Sequence, residues 1–199
     1  MYTNAKADAE ITALLDVYKV TTATLDEGLA LIQAVEGATS DLGGETVDAS
    51  EATAQVQAAT ASVDDLYTDD REMARTAYAR DSAEYQALGL RGRVPDARAA
   101  LLGAAKGFYT TLQERPALID PIPGLTPETV AERLAAVAAA EEADSAQASE
   151  GGEVDVASED RKAAVAALRT HASKTATVAK KALKDRPQLR EKLGLLERS

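Results

Sequence analysis

Along the first part of the chain, apolar or small residues return at alternating steps of three and four. Ile11, Leu14, Tyr18, Thr21, Leu25, Gly28, Ile32 and Val35 form one narrow stripe, which predicts a helix over about 3–36. After Gly37 the signal fades into Ala-Thr-Ser-Asp-Leu-Gly-Gly-Glu, which reads as a loop. A second helix is expected from about Asp48 to Ala87, with Val56, Ala59, Val63, Leu66, Met73 and Ala77 on one face and Asp70 interrupting it. A third covers about Asp96 to Arg115. The segment Pro116–Pro127 then holds four prolines and cannot be helical throughout. Thr126 as N-cap and Pro127 in the first turn open a fourth helix, expected to end near Ser149. A fifth runs from about Val156 to Lys184, burying Val165, Leu168, Ala172, Thr175, Ala179 and Ala182, and Pro187 begins a short terminal turn. Strand-like alternation is nearly absent.

Two segments nearly repeat. Gly43–Glu51 reads GGETVDASE and Gly151–Glu159 reads GGEVDVASE, identical at six of nine positions. The helix after each ends in Leu-Gly-Leu, at Leu88–Leu90 and Leu193–Leu195, so the two offsets are 108 and 105 residues. This pattern predicts a tandem duplication of a helical hairpin, with repeats over 1–94 and 95–199 of a single domain. The fold expected is an all-α, antiparallel, up-and-down four-helix bundle whose third rod is broken by the proline segment. The Gly-Gly-Glu segment before a long helix, with the closure Pro-x-Leu-x-Glu-x-Leu-Gly-Leu at Pro187–Leu195, resembles a group of uncharacterised Ala-rich helical-bundle proteins of bacteria of about this length. The resemblance implies the helical fold and no activity or site residues.

Composition sharpens this picture. The 199 residues include 43 alanines, only seven aromatics and no cysteine, so the core must form by close contact across small side chains, and thiolate metal sites and cysteine nucleophiles are excluded. No basic leader followed by an apolar run opens the sequence, and no window is apolar enough to span a membrane, which together suggest a cytoplasmic protein. Net charge is −11, unevenly spread: 11 Lys and Arg against 30 Asp and Glu up to Asp160, then 11 against 3. An acidic body repels phosphates and argues against nucleic-acid binding.

Candidate chemistry is sparse. Glu45, Asp48 and Glu51, and their counterparts Glu153, Asp155 and Glu159, offer carboxylates that suit a hard divalent cation. The same residues also suit helix capping, with Asp48 and Glu51 spaced as a capping box. A di-iron bundle site needs Glu-x-x-His twice, whereas the one histidine, His171, has Leu168 three residues before it. No nucleophile motif, P-loop or cofactor fingerprint is present, so an enzyme is not expected and no small molecule is identified. The basic end carries Lys174, Lys181, Lys184, Arg186, Arg190 and Lys192. It is expected to be a solvated face, or to meet the acidic surface of another copy at Asp64, Asp65, Asp69 and Asp70, with nucleic acid or anionic lipid as the remaining alternative. The function expected is that of a structural or interaction bundle that self-associates into a homo-oligomer, filament or layer; the alternative is a bundle that binds a small ligand or divalent metal at the two acidic loops.

Overall fold

The structure, a computed structural model, describes residues 1–195. It consists of α1 (Tyr2–Ala7), α2 (Ala9–Asp16), α3 (Thr22–Ala77), α4 (Ala83–Ala87), α5 (Arg98–Glu114), α6 (Pro127–Ala182) and α7 (Pro187–Lys192), with a 3₁₀ turn at Pro116–Leu118 and no strand among the described residues. No helix among them is long and apolar enough to cross a membrane.

The two expected Gly-Gly-Glu loops do not form. Gly43-Gly44 and Gly151-Gly152 lie inside α3 and α6, each an uninterrupted helix of 56 residues. Each glycine costs a helix interior about 1 kcal/mol relative to alanine. Two in succession therefore cost about 2 kcal/mol, less than ending one cooperative helix and nucleating another. None of the four takes a positive φ, so no turn conformation is imposed there. It follows that Asp48 and Glu51 cap nothing: they sit in mid-helix.

The real interruptions lie elsewhere. The first predicted helix breaks twice. Asp8 leaves the helical region and caps α2, accepting from the amides of Glu10 and Ile11. Lys19 then takes φ +65° at the end of α2, where the Lys19 amide donates to Asp16 and the Val20 amide to Leu15. The same six-to-one and five-to-two bonding closes α4 at Gly89 and α7 at Gly194, both at positive φ. The second predicted helix ends at Ala77, and a separate Ser82-capped α4 follows. The start of α6 is as expected: Thr126 and Thr129 cap each other, amide to hydroxyl, at 2.8 and 3.2 Å.

The chain divides into two compact units. The first comprises residues 1–46 and the described residues from Glu153 on: α1, α2, the first part of α3, the last part of α6, and α7. Its core is Tyr2, Ala5, Ile11, Leu15, Val20, Leu25, Ala179, Leu183, Leu189 and Leu193. Here α3 and α6 run antiparallel, as Arg161 meets Thr39 and His171 meets Glu27. Gly28 is buried because the Tyr2 ring lies on it: a Cβ there would be 2.4 Å from that ring.

The second unit is Val47–Gly152. It holds the rest of α3, then α4, α5 and the first part of α6, with Asp70–Arg133 and Thr53–Gln147 again marking an antiparallel pair. Its core is larger and holds the aromatic residues Tyr67, Tyr85, Phe108 and Tyr109. Tyr67, Phe108 and Tyr109 meet edge to face at 5.1–6.4 Å between centroids.

Candidate functional site: charged faces of the long helices

From Thr22 to Asp70, α3 carries 11 Asp and Glu and no Lys or Arg. From Arg161 to Lys184, covering the last part of α6 and the turn after it, the chain carries seven Lys and Arg and no Asp or Glu. On α3 the like charges fall a turn apart, at Asp41 and Glu45, Asp48 and Glu51, and Asp65 and Asp69. Each such pair destabilises an isolated helix by about 0.2–0.5 kcal/mol.

Within the first unit the two signs meet. The basic end, read from the sequence as a separate surface, is folded against the acidic N-terminal helices. Lys192 pairs with Asp8 at 3.0 Å and Arg186 with Glu10 at 3.3 Å. Lys181 lies 5.9 Å over the Tyr18 ring, and Lys6 pairs with Asp26. Asp8 is thereby held below the usual carboxylate range, first by its hydrogen bond from Lys192 and then by the Ile11 amide. Arg190 is half-buried. Lys174 and Lys184, with Arg169 and Lys180, are exposed and have no hydrogen-bond or ion-pair partner among the described residues. By sequence the first unit sums to −2, with 15 acids against 13 bases.

The second unit keeps the acidity: 18 Asp and Glu against 9 Lys and Arg, a net −9. Among the described residues Asp65 and Asp69 are exposed and unpaired, and exposed Asp64 accepts only a long 3.4 Å contact from Thr68. Asp70, expected on the same outer surface, instead points inward. Its Oδ2 accepts from Tyr109 at 2.9 Å and from Arg133 Nε at 3.1 Å, and only 14% of its side chain is exposed. Both partners come from helices distant in sequence, so the interruption of the apolar stripe marks a polar contact in the core. Burial, then the Asp70 carboxylate, pushes the Tyr109 phenol far above its ordinary range.

The carboxylates considered as metal ligands lie on helix surfaces, and not in loops. Asp48 and Glu150, both in the second unit, bring oxygens within 4.8 Å of each other. Glu51, Glu153, Asp155 and Glu159 are exposed on helix surfaces, and Glu159 pairs with Lys162. The glycine-led cradle that would have gathered each set is absent, because both segments are helical. His171 is the other polar residue whose surroundings the sequence did not reveal: the Tyr2 hydroxyl lies 2.7 Å from its Nδ1 and Glu27 lies 3.6 Å from its Nε2.

No protein-family model matches this chain, and neither a curated protein nor a solved structure is significantly similar to it.

Proposed function

We propose that this protein is a non-enzymatic interaction scaffold that self-associates, with the basic face of α6 in one copy seating on the acidic face of α3 in the second unit of another. The observation that carries this reading is the separation of charge along the two long helices. One presents carboxylates alone over 49 residues and the other cations alone over the last part of its length. The ion pairs within the first unit leave Arg169, Lys174, Lys180 and Lys184 unpaired there, and Asp65 and Asp69 are unpaired in the second, among the described residues. Such a contact joins two different surfaces, so it propagates as a polymer or closes into a ring.

The same reading includes an origin by duplication at an offset of 105 residues, each half contributing one long helix to a helical bundle. Thr22–Ala77 and Pro127–Ala182 are equal in length and 105 residues apart. The positive-φ residues Lys19 and Gly124, and Gly89 and Gly194, stand at that same spacing. So do the buried pairs Val20 and Leu125, Leu25 and Val130, and Ala74 and Ala179.

Light scattering across a salt series tests self-association. Assemblies are expected at low ionic strength and should dissolve toward molar salt, because the Debye length falls from ~10 Å at 0.1 M to ~3 Å. Reversal of Lys174 and Lys184 to Glu should abolish assembly, and so should reversal of Asp65 and Asp69 to Lys. A monodisperse monomer at every salt concentration, or assemblies indifferent to both reversals, would refute the reading.

A further inference from the structure

The second unit is strongly acidic, yet one part of it gathers arginines. The end of α3 and the turn after α4 enclose a recess of about 610 Å³ lined by Arg75, Arg80, Asp81, Tyr85, Arg91 and Gly92. We infer that this recess binds an oxyanion of the phosphate class, with Arg80 and Arg91 as its ligands and Arg75 as the fixed wall behind them.

The site is built from the backbone upward. Leu88-Gly89-Leu90-Arg91-Gly92 turns twice through positive φ, +62° at Gly89 and +77° at Gly92, and so leaves its carbonyls without helical partners. Arg75 takes two of them: its Nε and Nη2 donate to Leu90 O at 3.0 and 2.8 Å, and Nη2 also bonds Gly92 O. One turn earlier on α3, Arg71 donates from Nη2 to the carbonyls of Gly89, Arg91 and Gly92 at 3.0–3.4 Å. Arg71 is 97% buried by its 3% residual exposure, its Nε has no hydrogen-bond partner, and no carboxylate pairs with it among the described residues. A buried cation without a counterion is costly.

Two arginines remain unused by the fold. Arg80 and Arg91 both line the recess, and neither guanidinium has a hydrogen bond or ion pair among the described residues. With Arg75 and Asp81 the lining sums to about +2, the complement of a phosphate dianion. Guanidinium forks match its oxygens two at a time.

The closure itself does not require this cluster. Leu193-Gly194-Leu195 closes α7 with the same bonding and Gly194 at φ +69°. At the spacing that relates the two closures, Ala176 stands for Arg71, Lys180 for Arg75 and Asp185 for Arg80. The arginines therefore belong to one closure only, which is what a binding role requires and a purely architectural role does not.

Calorimetric titration of the full chain with inorganic phosphate tests this, at constant ionic strength set with sodium chloride. Saturable binding is expected, with sulfate competing and acetate much weaker. Arg80→Ala with Arg91→Ala should weaken it by at least about tenfold, since each removes a charge-assisted contact to the anion. The unliganded melting temperature should barely move, because both side chains are exposed. Arg80→Lys with Arg91→Lys should bind with intermediate strength. If acetate equals phosphate, the ligand is a carboxylate and the phosphate assignment is overturned. Absence of saturable phosphate binding, or an unchanged affinity in the Ala variant, would overturn the site altogether. Neither result would bear on self-association.

Discussion

Gly→Ala substitution should change sign from one place on the long helices to another. At Gly43, Gly44, Gly151 and Gly152 a Cβ would meet nothing within 4 Å, and none of the four has a positive φ. Alanine there gains only helix propensity, about 0.8–1 kcal/mol each, so the four together should stabilise by about 3–4 kcal/mol. At Gly28 the same propensity gain is present, but the new Cβ would lie 2.4–2.6 Å from three atoms of the Tyr2 ring. The ring belongs to a 4%-exposed side chain whose hydroxyl is bound to His171, so relief requires it to leave its site. Losing that burial costs about 2–3 kcal/mol, and losing the hydrogen bond about 1 kcal/mol more. Gly28→Ala should therefore destabilise by a net of about 2–3 kcal/mol. Urea unfolding followed by circular dichroism at 222 nm measures both groups of variants. The decisive arm is Gly28→Ala in a Tyr2→Ala background, where the clash is gone and the substitution should become stabilising. Should Gly28→Ala stabilise the wild type as much as that background, the argument from the Tyr2 contact is wrong.

Three further outcomes are expected. Lys19→Gly should stabilise by about 1 kcal/mol, because Lys19 holds a left-handed conformation that glycine adopts freely; a melting curve suffices. Burial raises the phenols of Tyr2, Tyr67, Tyr78 and Tyr109 above their ordinary value, so in the folded state they keep protons that the unfolded chain releases near pH 10. Stability should accordingly be full below about pH 10 and fall above it, with absorbance at 295 nm showing these phenols ionising at higher pH in the folded protein than in the unfolded chain. Tyr109→Phe should cost about 1–2 kcal/mol, and Asp70→Ala about 3 kcal/mol or more because it strands Arg133; equal costs would count against the shared Asp70 contact.

Helix class, the proline break, the Thr126 start of α6 and the terminal closure were all legible, because local signals decide them. The stripe also located Ile11, Leu25, Val56 and Val63 in the cores. What misled was punctuation. Gly-Gly reads as a loop, yet both long helices run through it, because two glycines cost a helix less than a new nucleus does. The true left-handed turn at Lys19 has no glycine to announce it. Asp70 looks like a flaw in an apolar face because its partners, Tyr109 and Arg133, lie 39 and 63 residues away. The arginine recess was invisible for a similar reason. Arg71 and Arg75 act on carbonyls some 15–21 residues downstream, and carbonyls carry no signature in sequence.

The two units differ in how the chain supplies them. The second is one contiguous stretch, whereas the first joins residues from both ends of the chain, as in the contacts between Tyr2 and His171 or Asp8 and Lys192. During synthesis the central unit can close as soon as residue 152 has emerged, while α1, α2 and the first part of α3 wait with their apolar stripe uncovered. Contacts across such sequence separations form slowly. That waiting part of α3 carries five Asp and Glu and no Lys or Arg, and uncompensated like charge opposes association between unfinished chains.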